Sequence, residues 1–82
     1  MEVKDEMLDK LEQLGFRVFG QEHLYWEKGF GYGRYIRVGD PYYNTNYITF
    51  WANDFESEIT DSVPLWAFKT IVEMINMGMI EE

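Results

Sequence analysis

Val3, Met7, Leu8, Leu11 and Leu14 recur at helical spacing, with charged residues filling most positions between them. That pattern predicts an amphipathic helix over residues 2–14. Glu6 and Lys10 stand at i, i+4 in the favourable order, and Gly15 is placed to end the helix in a left-handed conformation. From residue 16 the period changes to two. Phe16–Phe19 and Leu24–Lys28 read as strands separated by a turn at 20–23. Gly29, Gly31 and Gly33 alternate with Phe30 and Tyr32, which predicts a flexible or bulged connection. Arg34–Val38 alternates cleanly: Ile36 and Val38 are expected inward, and Arg34, which shares their parity, at the rim of the sheet.

Gly39-Asp40-Pro41 is a turn signal, residues 42–46 a polar and aromatic loop, and Tyr47–Trp51 a strand rich in β-branched and aromatic residues. Asn53-Asp54 suggests another turn, and the alternation over 55–59 a short edge strand. The last element reads as a helix, with Asp61-Ser62 as N-cap, Pro64 in the first turn and Gly78 closing it. Its expected apolar face is Leu65, Phe68, Ile71, Val72, Ile75 and Met79, widened by Trp66, Met74 and Met77. Lys69, Glu73 and Asn76 form a narrow polar stripe. The resulting expectation is a single α+β domain over residues 1–82. An antiparallel sheet of three to four strands would be flanked by an N-terminal and a C-terminal helix, both packed on one face.

Composition narrows the functional classes. At 82 residues the chain hides only roughly 60% of its unfolded surface, so one core is the limit. Cysteine is absent, which excludes disulfides and thiolate metal sites. No apolar run approaches the roughly 20 residues that span a bilayer, and no signal-peptide pattern opens the chain, so a cytoplasmic, non-membrane protein is expected. The net charge of −8 is unevenly spread: net −3 over residues 1–14, +2 over 15–39 and −7 over 40–82. A field of that sign repels phosphate backbones and favours basic partners, while also serving solubility.

Residues 28–35, Lys-Gly-Phe-Gly-Tyr-Gly-Arg-Tyr, are similar to the octamer of the RNA-recognition motif. The resemblance implies Phe30 and Tyr32 as base-stacking rings and Lys28 on phosphate, with Arg34 and Arg37 adding charge. Gly33 stands where that family has an aliphatic residue, the family's intervening helix has no room between Phe19 and Lys28, and the net charge opposes phosphate. Asp54, Glu56, Glu58 and Asp61 resemble the start of a calcium loop, yet Ile59 and Leu65 occupy its glycine and bidentate-glutamate positions. His23 has no cysteine or second histidine to complete a zinc site, and neither Ser57 nor Ser62 sits in a nucleophile context. No catalytic residue, metal or cofactor is expected.

Fifteen aromatic rings exceed what one small core holds. Tyr32, Tyr42, Tyr43, Trp26 and Trp66 are therefore expected at the surface, where aromatic and arginine side chains make binding hot spots. The helix ending at Leu14-Gly15-Phe16, the aromatic strands, and Val63-Pro64-Leu65 opening a last helix that ends near Gly78 together resemble small accessory proteins of phages and prophages of Gram-positive bacteria. That resemblance implies an inhibitor or regulator that binds a host or phage macromolecule, including mimics of nucleic-acid charge. The leading expectation is a small acidic binding module that meets a basic protein through Asp54, Glu56, Glu58 and Asp61, with Tyr42 and Tyr43 as anchors. Single-stranded nucleic-acid binding through residues 28–37 is the alternative. A homodimer through Trp66, Met74 and Met77 is compatible with either.

Overall fold

Alternating inward and outward side chains over three central strands produce an antiparallel meander in the computed structural model, which describes residues 1–53, the backbone of 55–56, and 63–81. The elements are β1 (Glu2–Val3), a 3-10 helix (Asp5–Leu14), β2 (Arg17–Phe19), β3 (Tyr25–Gly31), β4 (Arg34–Val38), β5 (Ile48–Ala52), β6 (Phe55–Glu56), α1 (Leu65–Asn76) and β7 (Ile80–Glu81). Strands β2 to β6 pair in sequence order, the last through two residues only, and β1 pairs with β7 in a separate two-stranded ribbon. The fold is thus α+β and antiparallel, with a short strand outside each helix that the sequence pattern does not announce.

The N-terminal element departs from an α-helix. Leu8, Leu11 and Leu14 are spaced by three, the repeat at which side chains eclipse in a 3-10 helix, and Leu11 is fully buried. In that geometry i and i+4 diverge, so Glu6 and Lys10 form no ion pair; among the described residues only Arg37 and Glu27 do. Gly15 closes the helix at φ 93°, as its position predicts. Residues 2–3 leave the helix altogether: Val3 is buried, and its strand pairs with Ile80.

The glycine run 29–33 resolves into a bulge between Gly29 and Gly31, then a two-residue turn. Tyr32 and Gly33 both have positive φ (56° and 71°), the primed hairpin geometry that matches strand twist. On the inward face of the sheet, Trp26, Ile36, Val38, Ile48 and Phe50 join Leu11 and Phe16 from one side of the chain and Ala67, Ile71 and Met74 from the other in a single core. Lys28 ties the helix to this face: its Nζ donates to Thr70 Oγ1 at 3.3 Å.

The orientation of α1 corrects the expected apolar face in part: Ile71, Met74 and Met79 are buried as expected, while Leu65, Phe68 and Ile75 turn outward. The buried residues are Ala67, Thr70, Ile71 and Met74, one stripe at i, i+3, i+4 and i+7. Leu65 is 92% exposed, Phe68 56% and Ile75 54%. Small Ala67 and Thr70 let the helix backbone approach the sheet closely, which the bulkier Leu65/Phe68 side cannot do. The helix starts after Pro64, which makes no side-chain cap, and the expected cap at Asp61-Ser62 lies outside the described residues. No helix among the described residues is long and apolar enough to cross a membrane.

Candidate functional site

Strand parity sends Tyr25, Glu27, Tyr35, Arg37, Thr49 and Trp51 to the face of the sheet opposite the core, because their neighbours Trp26, Ile36, Val38, Ile48 and Phe50 point inward. Arg37 organises this face. Its Nη2 lies 2.7 Å and its Nε 2.8 Å from the same Glu27 carboxylate oxygen, across the β3–β4 register pair. Its guanidinium also stands 4.6 Å from the Trp51 ring centroid, 5.0 Å from Tyr25 and 5.6 Å from Tyr35. Tyr35 and Trp51 stack with 4° between their planes, and Trp51 Nε1 donates to Thr49 Oγ1 at 2.8 Å. The charge of Arg37 is therefore matched by Glu27 and laid over aromatic faces: it is a rigid floor rather than a free cation.

Beside this floor the 39–47 loop raises a wall. Gly39 N–H donates to Tyr47 C=O, Tyr42 N–H donates to Asp40 Oδ1 at 2.7 Å, and Tyr47 N–H donates to Thr45 Oγ1. The loop's far end is pinned by the N-terminal strand: Val3 N–H donates to Asn46 C=O, Ile48 N–H to Met1 C=O, and the Asn46 amide to Val3 C=O and the Asp5 carboxylate. Between loop and sheet lies an open cleft of 310 Å³ lined by Arg37, Gly39, Asp40, Tyr43, Thr45, Tyr47, Thr49 and Trp51. Tyr43 is 71% exposed and Tyr47 59%. Asp40 has no ion-pair partner among the described residues, so the cleft joins two accessible tyrosine rings to an unmatched carboxylate.

The residues named from sequence distribute unevenly around this site. Tyr43 lines the cleft, and Tyr42, in the same loop, is exposed. Asp54, Glu58 and Asp61 lie outside the described residues, and Glu56 is the register partner of Trp51 at the sheet's edge. The 28–37 segment does not form one surface. Lys28 and Phe30 face the core side, where Lys28 binds Thr70 and Phe30 packs on Trp66 with centroids 5.2 Å apart. Tyr32 projects at the hairpin tip, and Arg34 bonds back to the carbonyls of Phe30 and Gly31, while Arg37 is on the opposite face. A period of two separates Phe30 from Arg37, so a base stacked on one cannot reach the other.

Of the expected surface rings, Trp26 is buried, and Trp66 is half-buried, packed against Phe30 and Phe50. Met74 is fully buried, so it is unavailable to a dimer; Met77 remains exposed. Tyr47 and Trp51, by contrast, belong to the site without having been singled out. Their shared parity with Thr49, opposite Ile48 and Phe50, carried the signal. His23 lines a separate 380 Å³ depression with Asp5 and Glu22. Comparisons with protein-family models, curated proteins and solved structures gave no match.

Proposed function

We propose that this chain is a small protein-binding module that captures a basic partner by seating a lysine or arginine side chain in the cleft between loop 39–47 and the sheet. The observation that carries this reading is the pairing of exposed Tyr43 and Tyr47 with the unmatched Asp40 carboxylate over a fixed Arg37–Trp51 floor. Aromatic faces and a carboxylate together recognise a cationic side chain, and an ordered floor reduces the entropy lost on binding. The −7 net charge of residues 40–82 steers a basic surface toward the cleft. Asp54, Glu56, Glu58 and Asp61 would add to that field, and Tyr42 would extend the aromatic wall. By covering a partner's basic surface such a module acts as an inhibitor or regulator, including one that competes with nucleic acid. No catalytic step is part of this reading.

The test is calorimetric titration at low salt with an unstructured lysine- and arginine-rich peptide. Tyr43→Ala and Asp40→Asn should each weaken binding by about fivefold to tenfold, near 1 kcal/mol, with the melting temperature unchanged. Equal affinity for wild type and both variants rejects the cleft. Tighter binding of a single-stranded oligonucleotide than of the peptide rejects a protein partner.

A further inference from the structure

The side of α1 turned away from the core carries Leu65, Phe68, Val72 and Ile75, spaced three, four and three apart, which is the seam spacing of paired helices. Among the described residues Leu65 is the most exposed of the large apolar side chains, and it stands at one end of that seam. At the other end lies an open pocket of 450 Å³ lined by Met1, Ile75, Ile80 and Glu81. Knob and pocket are ten residues apart, about 15 Å along the helix axis. We propose that these two features are halves of one self-complementary interface, and that the chain forms a two-fold symmetric dimer through antiparallel α1 helices centred on Thr70.

In that register Leu65 of one copy meets Ile75 and the Met1/Ile80 pocket of the other, Phe68 meets Val72, and each contact occurs twice, as an isologous interface requires. Charge selects the same orientation. Lys69 and Glu73 follow each other along one flank of the seam, and neither is in an ion pair among the described residues. Antiparallel pairing sets Lys69 of each copy beside Glu73 of the other, whereas parallel pairing gives Lys69 no acid. One twelve-residue helix per copy is short of the roughly 800 Å² per partner of a standard interface, so the dimer is weak and reversible. It uses a different face from the cleft and does not depend on that site's function.

Sedimentation of the full chain from about 1 μM to about 1 mM should show the mass rising from 9.8 kDa toward twice that value. Leu65→Asp, at a position without core contacts, should hold the mass at the monomer value throughout while leaving the far-UV circular dichroism unchanged. Lys69→Glu should weaken association about fivefold, and Lys69→Glu with Glu73→Lys should restore it. A wild-type mass fixed at 9.8 kDa across the range overturns the dimer. Association that survives Leu65→Asp, or a charge swap that fails to rescue, overturns this interface.

Discussion

Gly39 sits where β4 ends and the cleft loop begins, with φ at 92° and its neighbours pressed close. A Cβ there would lie 3.0 Å from Leu24 C=O and 3.2 Å from Thr45 C=O, both of them backbone atoms with little freedom to yield. Gly39→Ala should therefore cost about 2 kcal/mol, from left-handed strain and crowding together, read as a lower midpoint in urea denaturation. It should also weaken peptide binding, because the same turn sets the position of Asp40. At this scale the sequence was informative wherever polarity alternated. Ile36 and Val38 inward, and Tyr42 and Tyr43 outward, follow from parity and turn chemistry. Trp26 did not follow, since Tyr25 shares parity with Glu27 and Trp26 with Lys28, so a charged residue stands on each face and neither marks the one that meets water. The Arg37–Glu27 pair was equally hidden, because it exists only through the register of β3 on β4.

Among the elements, α1 shows how an apolar excess conceals orientation. Apolar residues surround most of the helix, so hydrophobicity did not single out one face, and size decided the matter through Ala67 and Thr70. Met74→Ala should cost about 3 kcal/mol by opening a cavity in the core, whereas Phe68→Ala should change stability by less than about 0.5 kcal/mol at concentrations where the chain is monomeric. Chemical denaturation of the two variants side by side checks which stripe is buried; equal losses would reverse the assignment. The hairpin and the meander were legible from period-two patterning and glycine spacing. The β1–β7 ribbon was not, because a two-residue strand carries no periodicity and its partner lies at the other end of the sequence.

For the molecule as a whole, charge and apolar surface pull association in opposite directions. Two copies of net charge −8 repel each other, while a basic peptide is drawn to the same field. Raising salt from about 50 mM to about 500 mM should weaken peptide binding and strengthen the α1-mediated dimer, since the rim pairs of Lys69 and Glu73 are worth little beside the screened repulsion. Titration and sedimentation in the same buffers check both signs, and parallel trends would mean that one surface serves both associations. Composition had excluded disulfides and pointed to surplus aromatic surface, but the location of that surplus on the outward sheet face needed the strands in place.

The pairing of Glu2 with Glu81 has a topological consequence. Residues from opposite ends of the sequence become adjacent rungs of one ladder, so anything fused before the first strand and after the last would emerge from a single point. A linker of a few residues could join them into a backbone ring, and new ends could then be cut at the Tyr32-Gly33 hairpin tip without disturbing the cleft. The molecule is built, in effect, as a loop with its clasp beside the terminal helix, and rearranging where that loop is opened should leave its shape intact.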